Sequence, residues 1–365
     1  MRSAPLVFAL TLVACDAEVH PPSEASLPVP ECTWLVPRSE ELVVPESFVG
    51  QLVAIDGADV GLLYAFNDDG APGSIRSRRL LDPFGAWPPS LGPEAVHRDS
   101  PGLILDAVGR ADGTFVLRQL ASEPGTEYSI GAFGREGAWP TRAGRPMLEP
   151  SPGVGVYWHH DGELQYYATL DAEEPVFLLP LALPESELNS TPDPAWVHGL
   201  DGTGRLVVRG VDGFTTITGN SLSPFTPLPA DDPGSSPAWL LPSEAGGFWY
   251  ARQEHPAVEI QRLGADEEAS PITLFEDVLV GRQRAASPWG AGRGVVAVAE
   301  HYALEGGTAL GFELIITDGE HQTKARAHDA DAAYSVVSSP DGASILVGVH
   351  RQGFVIRRFD CLSLD

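Results

Sequence analysis

The sequence predicts an all-β chain assembled from repeated antiparallel units, and three observations carry that expectation. The 365 residues include 39 Gly and 33 Pro, above average usage and suited to a chain that turns often. Seven segments each place a tight, glycine-containing turn between two apolar runs. A third strand-like run follows most of these hairpins, so the unit is a small antiparallel sheet rather than an isolated ribbon. Hydrophobic residues make up 43% and charged residues 20%, which is globular composition with ample length for a buried core.

The seven segments, in order, are QLVAIDGADVGLLYAF (51–66), LILDAVGRADGTFVLRQL (103–120), VGVYWHHDGELQYYATL (154–170), PAWVHGLDGTGRLVVRG (194–210), PAWLLPSEAGGFWYARQ (237–253), ASPWGAGRGVVAVAEH (286–301) and YSVVSSPDGASILVGVH (334–350). Their turn glycines, Gly57, Gly113, Gly162, Gly202, Gly246, Gly292 and Gly342, are spaced by 56, 49, 40, 44, 46 and 50 residues. Five of the turns use Asp-Gly, the strongest short-range hairpin signal, because a type I′ turn needs φ > 0 at both central positions. Third strands are expected at 74–80, 127–133, 175–181, 214–219, 258–263, 312–317 and 354–359, and weaker fourth strands at 271–276 and 323–328. Four antiparallel strands recurring at this period describe a β-propeller blade.

Seven units across residues 31–365 average about 48 residues each, which matches propeller repeats. The last unit ends after its third strand. The unassigned run CTWLV (32–36) is the candidate for its fourth, so the expected fold is a seven-bladed β-propeller over 32–365, closed by the N- and C-terminal strands. That closure brings Cys32 next to Cys361 and predicts a disulfide between them, rather than two free buried thiols.

The chain begins MRSAPLVFALTLVAC, with Arg2, an apolar run from Pro5 to Ala14, and then Cys15. This is the layout of an export signal, too short to persist as a spanning helix. Leu12-Val13-Ala14-Cys15 resembles the lipobox of bacterial lipoproteins. That resemblance implies a signal peptide at 1–14, acylation of the Cys15 thiol, and a place in the bacterial cell envelope, periplasmic or surface-exposed. An ordinary signal cleaved near Ala14 or Ala17 is the other reading. Residues 15–31, with four prolines and no aromatics, read as a flexible tether. In that family an aspartate such as Asp16 directly after the cysteine favours inner-membrane retention in enteric bacteria. The rule does not extend to all bacteria, so either membrane stays open.

Ser339-Pro340-Asp341-Gly342 followed by ASILVGV resembles the WD40-like repeat of Tol-system periplasmic propellers. It implies an exported propeller that acts through protein contacts, and transfers no functional residue. The other six units are degenerate, and none closes on a Trp-Asp dipeptide.

No catalytic residue, cofactor or metal is assigned. The chain has no G-x-S-x-G, H-E-x-x-H or P-loop, and so lacks a starting point for the corresponding chemistries. The formal charge of −27 excludes most nucleic-acid partners, which require clustered cations. His159 and His160 are successive strand residues, which point to opposite faces and do not readily share an ion. The eight tryptophans read as aromatics packed between sheets. The favoured function is a non-enzymatic scaffold for a protein or other macromolecular partner. The alternative is an enzyme whose site is assembled from several blades and leaves no linear motif.

Blade connectivity puts the links between second and third strands, and between successive blades, on one face. The alignment assigns to it the acidic residues Glu173, Glu174, Asp329 and Asp331 among others, together with His97, His255, His301, His328 and His350. This is a candidate ligand face for a basic partner or a divalent cation. A solvated loop surface on a uniformly acidic protein is the plainer reading.

Overall fold

The computed structural model describes residues 32–363 apart from 45–46, 57, 69–70, 100–103, 110–112, 121–125, 136–144, 149–155, 161–162, 168–171, 181–197, 201–205, 211–212, 219–220, 224–225, 228–235, 245, 255–256, 265–270, 276–284, 303–308, 328–331 and 352. Among these residues there is no α-helix, and the strands fall into seven antiparallel sheets.

Two short strands, β1 (Trp34–Pro37) and β2 (Leu42–Val44), open the described chain. The first sheet follows, with β3 (Ser47–Asp56), β4 (Asp59–Asp68) and β5 (Ala71–Leu81) paired in order, and β6 (Ser90–Leu91) and β7 (Ala95–Asp99) both along β5. The second contains β8 (Ile104–Gly109), β9 (Thr114–Leu120) and β10 (Thr126–Ala132). The third runs β11 (Arg145–Leu148), β12 (Val156–His160), β13 (Glu163–Tyr167), β14 (Phe177–Pro180). The fourth is β15 (His198–Leu200), β16 (Leu206–Gly210) and β17 (Gly213–Thr218), edged by β18 (Ser221–Leu222) and β19 (Thr226–Pro227). The fifth is β20 (Ser236–Pro242), β21 (Phe248–Glu254), β22 (Ala257–Leu263), β23 (Ile272–Phe275). The sixth is β24 (Ala285–Trp289), β25 (Gly294–Tyr302), β26 (Ala309–Thr317), β27 (Gln322–Ala327). The seventh joins β28 (Ala332–Ser338), β29 (Ser344–His350) and β30 (Phe354–Leu362) to β1 and β2 from the other end of the chain.

The middle strands of the sheets that have neighbours on both sides, such as the seventh, are apolar on both faces because each face meets a neighbouring sheet. In β29, Ile345, Val347 and Val349 enter the core shared with the sixth sheet, and Leu346 enters the core shared with the first. Outer strands alternate instead, as in β27, where QTKARA reads exposed and half-buried in turn. The first strands of successive sheets lie side by side in the order β11, β15, β20, β24, β28, β3, β8. Separate apolar cores fill the gaps, with Trp249 and Ile315 between the fifth and sixth sheets, and Leu63 and Phe115 between the first and second.

Three expectations are corrected. The segment 154–170 is not the opening hairpin of its unit. β11 precedes it, so β12 and β13, paired up to His160 opposite Glu163, are the second and third strands, and 177–180 is the fourth strand. Glu173 and Glu174 therefore lie at the opposite end of that sheet from the one expected. The Asp-Gly turn of the last unit is also not type I′. Gly342 has φ 72 but Asp341 is absent from the residues with positive φ, and the Gly342 amide donates to the Ser339 carbonyl at 2.9 Å. Asp341 accepts from the Ser339 hydroxyl and from the Ala343 amide. Side-chain acceptors thus stabilise a four-residue turn that ends in a left-handed glycine. Finally, not every tryptophan packs between sheets: Trp158, Trp249 and Trp289 are buried, but Trp34 is 58% exposed.

Candidate functional site

The two chain ends meet in the seventh sheet. β1 pairs antiparallel with β30, with Trp34 opposite Leu362 and Leu35 opposite Cys361, and β2 continues along the same strand through Leu42 and Ile356. Cys32 and Cys361 are disulfide-bonded, with Cα atoms 5.1 Å apart. Polar pairs concentrate at this junction. Arg38 binds Asp360, and Arg357 Nε lies 2.8 Å from Glu41 Oε1. The buried Arg358 is satisfied by Asp360, Ser344 and the carbonyl of Gly85, which ties the first sheet to the seventh. A buried guanidinium is tolerated only when its donors are used in this way.

Antiparallel order places the first-to-second-strand turns at one end of each sheet. From the fifth sheet to the seventh this end is stitched by backbone acceptors. Trp249 Nε1 donates to the Gly292 carbonyl and Trp289 Nε1 to that of Gly342, at 3.3 and 2.9 Å. The Glu244 amide also donates to Gly292, while Arg293 Nε donates to the Glu244 carboxylate at 2.9 Å. Gly292 has φ 96, and a Cβ there would stand 3.1 Å from the Glu244 amide and the Pro242 carbonyl, so glycine is required for this close approach.

The other end carries two of the histidines assigned to the candidate ligand face. His301 belongs to β25, opposite Gly311, and His350 ends β29, opposite Phe354. His255, His328, Asp329 and Asp331 lie outside the described residues, as does Cys15. Among the described residues no group of three or more His, Cys, Asp or Glu is placed to hold a metal ion.

His97 is not a loop residue of that face. It lies in β7, its Nε2 2.6 Å from the Ser77 hydroxyl and its ring edge-on to Phe115 of the second sheet, with centroids 5.0 Å apart. Its Nδ1 is buried with no partner. Burial lowers its pKa from the ordinary 6.5 to about 4. The folded state therefore resists protonation that the unfolded chain accepts. The contribution of His97 to stability should be constant above about pH 6.5 and decline as pH falls from there to about 4, by no more than about 2 kcal/mol once solvent screening of this partly exposed ring is allowed for. Urea unfolding across that window should show the loss. A His97→Phe variant should flatten it, and an unchanged slope in that variant would assign the acid sensitivity to other groups.

Sequence reasoning missed a second polar cluster. Tyr64 donates to Glu94, Arg78 Nε donates to the Tyr64 oxygen at 3.0 Å, and Glu94 accepts from Arg76 at 2.7 Å and Arg78 at 3.0 Å. Burial, reinforced by the Glu94 bond, pushes the Tyr64 pKa up to about 12. For Glu94 desolvation acts upward, but the bonds from Tyr64 and Arg78 and the charges of Arg76 and Arg78 outweigh it and hold the carboxyl below its usual range. A phenol held neutral and a carboxylate held charged by two cations form a clamp for the segment before β7. They do not form an acid–base pair, which needs a group poised near the working pH. Only the period-2 spacing of Arg76 and Arg78 in β5 hinted at it.

No family model matches the chain, and no curated protein matches it in sequence. Among solved structures, the chain is similar to the β-propeller domain of Cps50 (Swd1) from Myceliophteria thermophila, with a TM-score of 0.55, 10% identity, and coverage of 90% of this chain and 100% of that one. At this identity the likeness shows the fold alone: the chain is an all-β protein with a propeller fold.

Proposed function

We propose that this chain is an exported, lipid-anchored bacterial envelope protein whose body is a seven-bladed β-propeller, and that it works as a scaffold for a protein or other macromolecular partner. The observation that carries the propeller reading is the packing order of the seven sheets, combined with a seventh sheet built from both chain ends. The lipobox at 12–15 supports the anchor, and the likeness of the 339–342 turn to Tol-type repeats supports the exported class. The end bearing His301 and His350, to which the sequence also assigns His255, His328, Asp329 and Asp331, is the binding face of this reading, because from the fifth sheet to the seventh the opposite end carries cross-sheet hydrogen bonds.

Capture of the full chain from envelope extracts tests the proposal. The expected result is a stoichiometric partner whose retention falls steeply with salt, as electrostatic steering requires, and is lost on charge reversal at Asp329 and Asp331. Zinc or nickel titration should distinguish a cation from a basic partner through the triple variant His301→Ala, His328→Ala, His350→Ala. Recovery of the chain alone, together with turnover in a substrate panel, would replace the scaffold with an enzyme whose site spans several blades.

A further inference from the structure

We infer that Trp34, Val36 and Leu362, an apolar strip on the outer edge of the seventh sheet, rest in the headgroup layer of the bilayer that holds the Cys15 lipid. The inference builds on the anchor proposed above. β1 is an edge strand, and its pairing sets Trp34 directly opposite Leu362, with Val36 two residues along on the same face. These side chains are 58%, 49% and 42% exposed, respectively. On the other face of the pair, Leu35 and Cys361 belong to the core shared with the sixth sheet. Further along β30 the strip's own face packs against the first sheet through Ile356 and Phe354, so the strip is the end of that face that neither core covers.

Tether length and exit point identify the occupant. Sixteen residues separate Cys15 from Cys32, a span of about 60 Å if fully extended and about 23 Å as a flexible coil. The Cys32–Cys361 bond fixes the tether's exit to the sheet two residues before Trp34. A coil of that length holds the exit edge of the domain near the membrane surface, so the side chains beside it are the first to meet the bilayer. Charge agrees with this placement. The chain carries −27 overall, yet the acidic residue on this face of β1 and β30, Asp360, is neutralised by Arg38 and Arg358. An exposed indole flanked by aliphatic side chains suits the interfacial layer, where its apolar body and N–H are both accommodated.

The test uses the full acylated chain in phosphatidylethanolamine–phosphatidylglycerol vesicles, comparing tryptophan emission of the native chain with that of Trp34→Phe. Lipids brominated near the headgroup should quench the component that Trp34→Phe lacks by about twofold, with little quenching by aqueous iodide. Leu362→Ser, with Trp34 retained, should shift that component toward iodide. Iodide quenching without bromolipid quenching, in a chain whose mass shows acylated Cys15, would overturn the inference and leave the anchor standing. Unmodified Cys15 in a chain that remains soluble would remove both. A component shielded from both quenchers, in particles of doubled mass, would give the strip to a second copy of the chain.

Discussion

Loss of the Cys32–Cys361 bond is expected to destabilise the chain by as much as ~5 kcal/mol, because the bond closes a loop spanning a sequence separation of 329 residues and that long loop costs the unfolded ensemble most entropy. The native sheet around it also depends on the bond. β1 is only four residues long and sits at an edge, so without the cross-link it is held by its ladder to β30, its packing on β27 and the Arg38–Asp360 pair. Short edge strands of this kind fray readily. Guanidinium unfolding of the oxidised protein, the reduced protein and the Cys32→Ser/Cys361→Ser variant is the measurement. Reduction and the double variant should lower the midpoint equally, and β1 amides should lose exchange protection before those of β29. A midpoint indifferent to reductant would mean that the chain ends are held by packing alone.

Phe354→Ala is expected to cost about 3–5 kcal/mol, the range for deleting a fully buried aromatic. The Phe354 ring is wholly buried in the core that joins the seventh sheet to the first. It lies over Gly50 of β3 and Gly348 of β29, at each of which a Cβ would come within 2.6 Å of it. Two glycines thus leave a slot that only this ring fills, and backbone on either side cannot easily collapse into the space it vacates. Its own amide donates to the Ser47 hydroxyl at 2.9 Å, and that hydroxyl donates to the Val44 carbonyl at 2.7 Å. The join is therefore apolar inside and clipped by hydrogen bonds at its rim. Chemical unfolding of Phe354→Ala should show the full loss with an unchanged denaturant slope, and a cost below about 1 kcal/mol would show that the first and seventh sheets do not depend on each other.

Much of the architecture was legible in the sequence because the repeat is written in turns. Gly113, Gly246, Gly292 and Gly342 are among the turn glycines that the repeat marks, and all four have positive φ. The pairing of the first residues with the last strand was legible from the missing fourth strand. Misreadings have local causes. β11 is four residues with a proline, RPML, and gives almost no alternation, so its sheet was read one strand out of phase. β7, AVHRD, is polar enough to pass for loop, which left His97 on a surface when it packs between sheets. The Tyr64–Glu94 pair joins residues 30 apart in sequence through a fold contact, and no linear pattern reports such a pair. Exposure of Trp34 was invisible for a similar reason, since an aromatic residue does not announce whether its strand lies at an edge.

A crystal structure or a cryo-EM reconstruction of the full chain tests the central claim most directly by counting sheets around an axis. Seven blades in a closed ring are predicted, with β1 hydrogen-bonded to β30 in the last and the second and third sheets in contact. An open arc, a different blade count, or an N-terminal strand paired elsewhere would contradict the account.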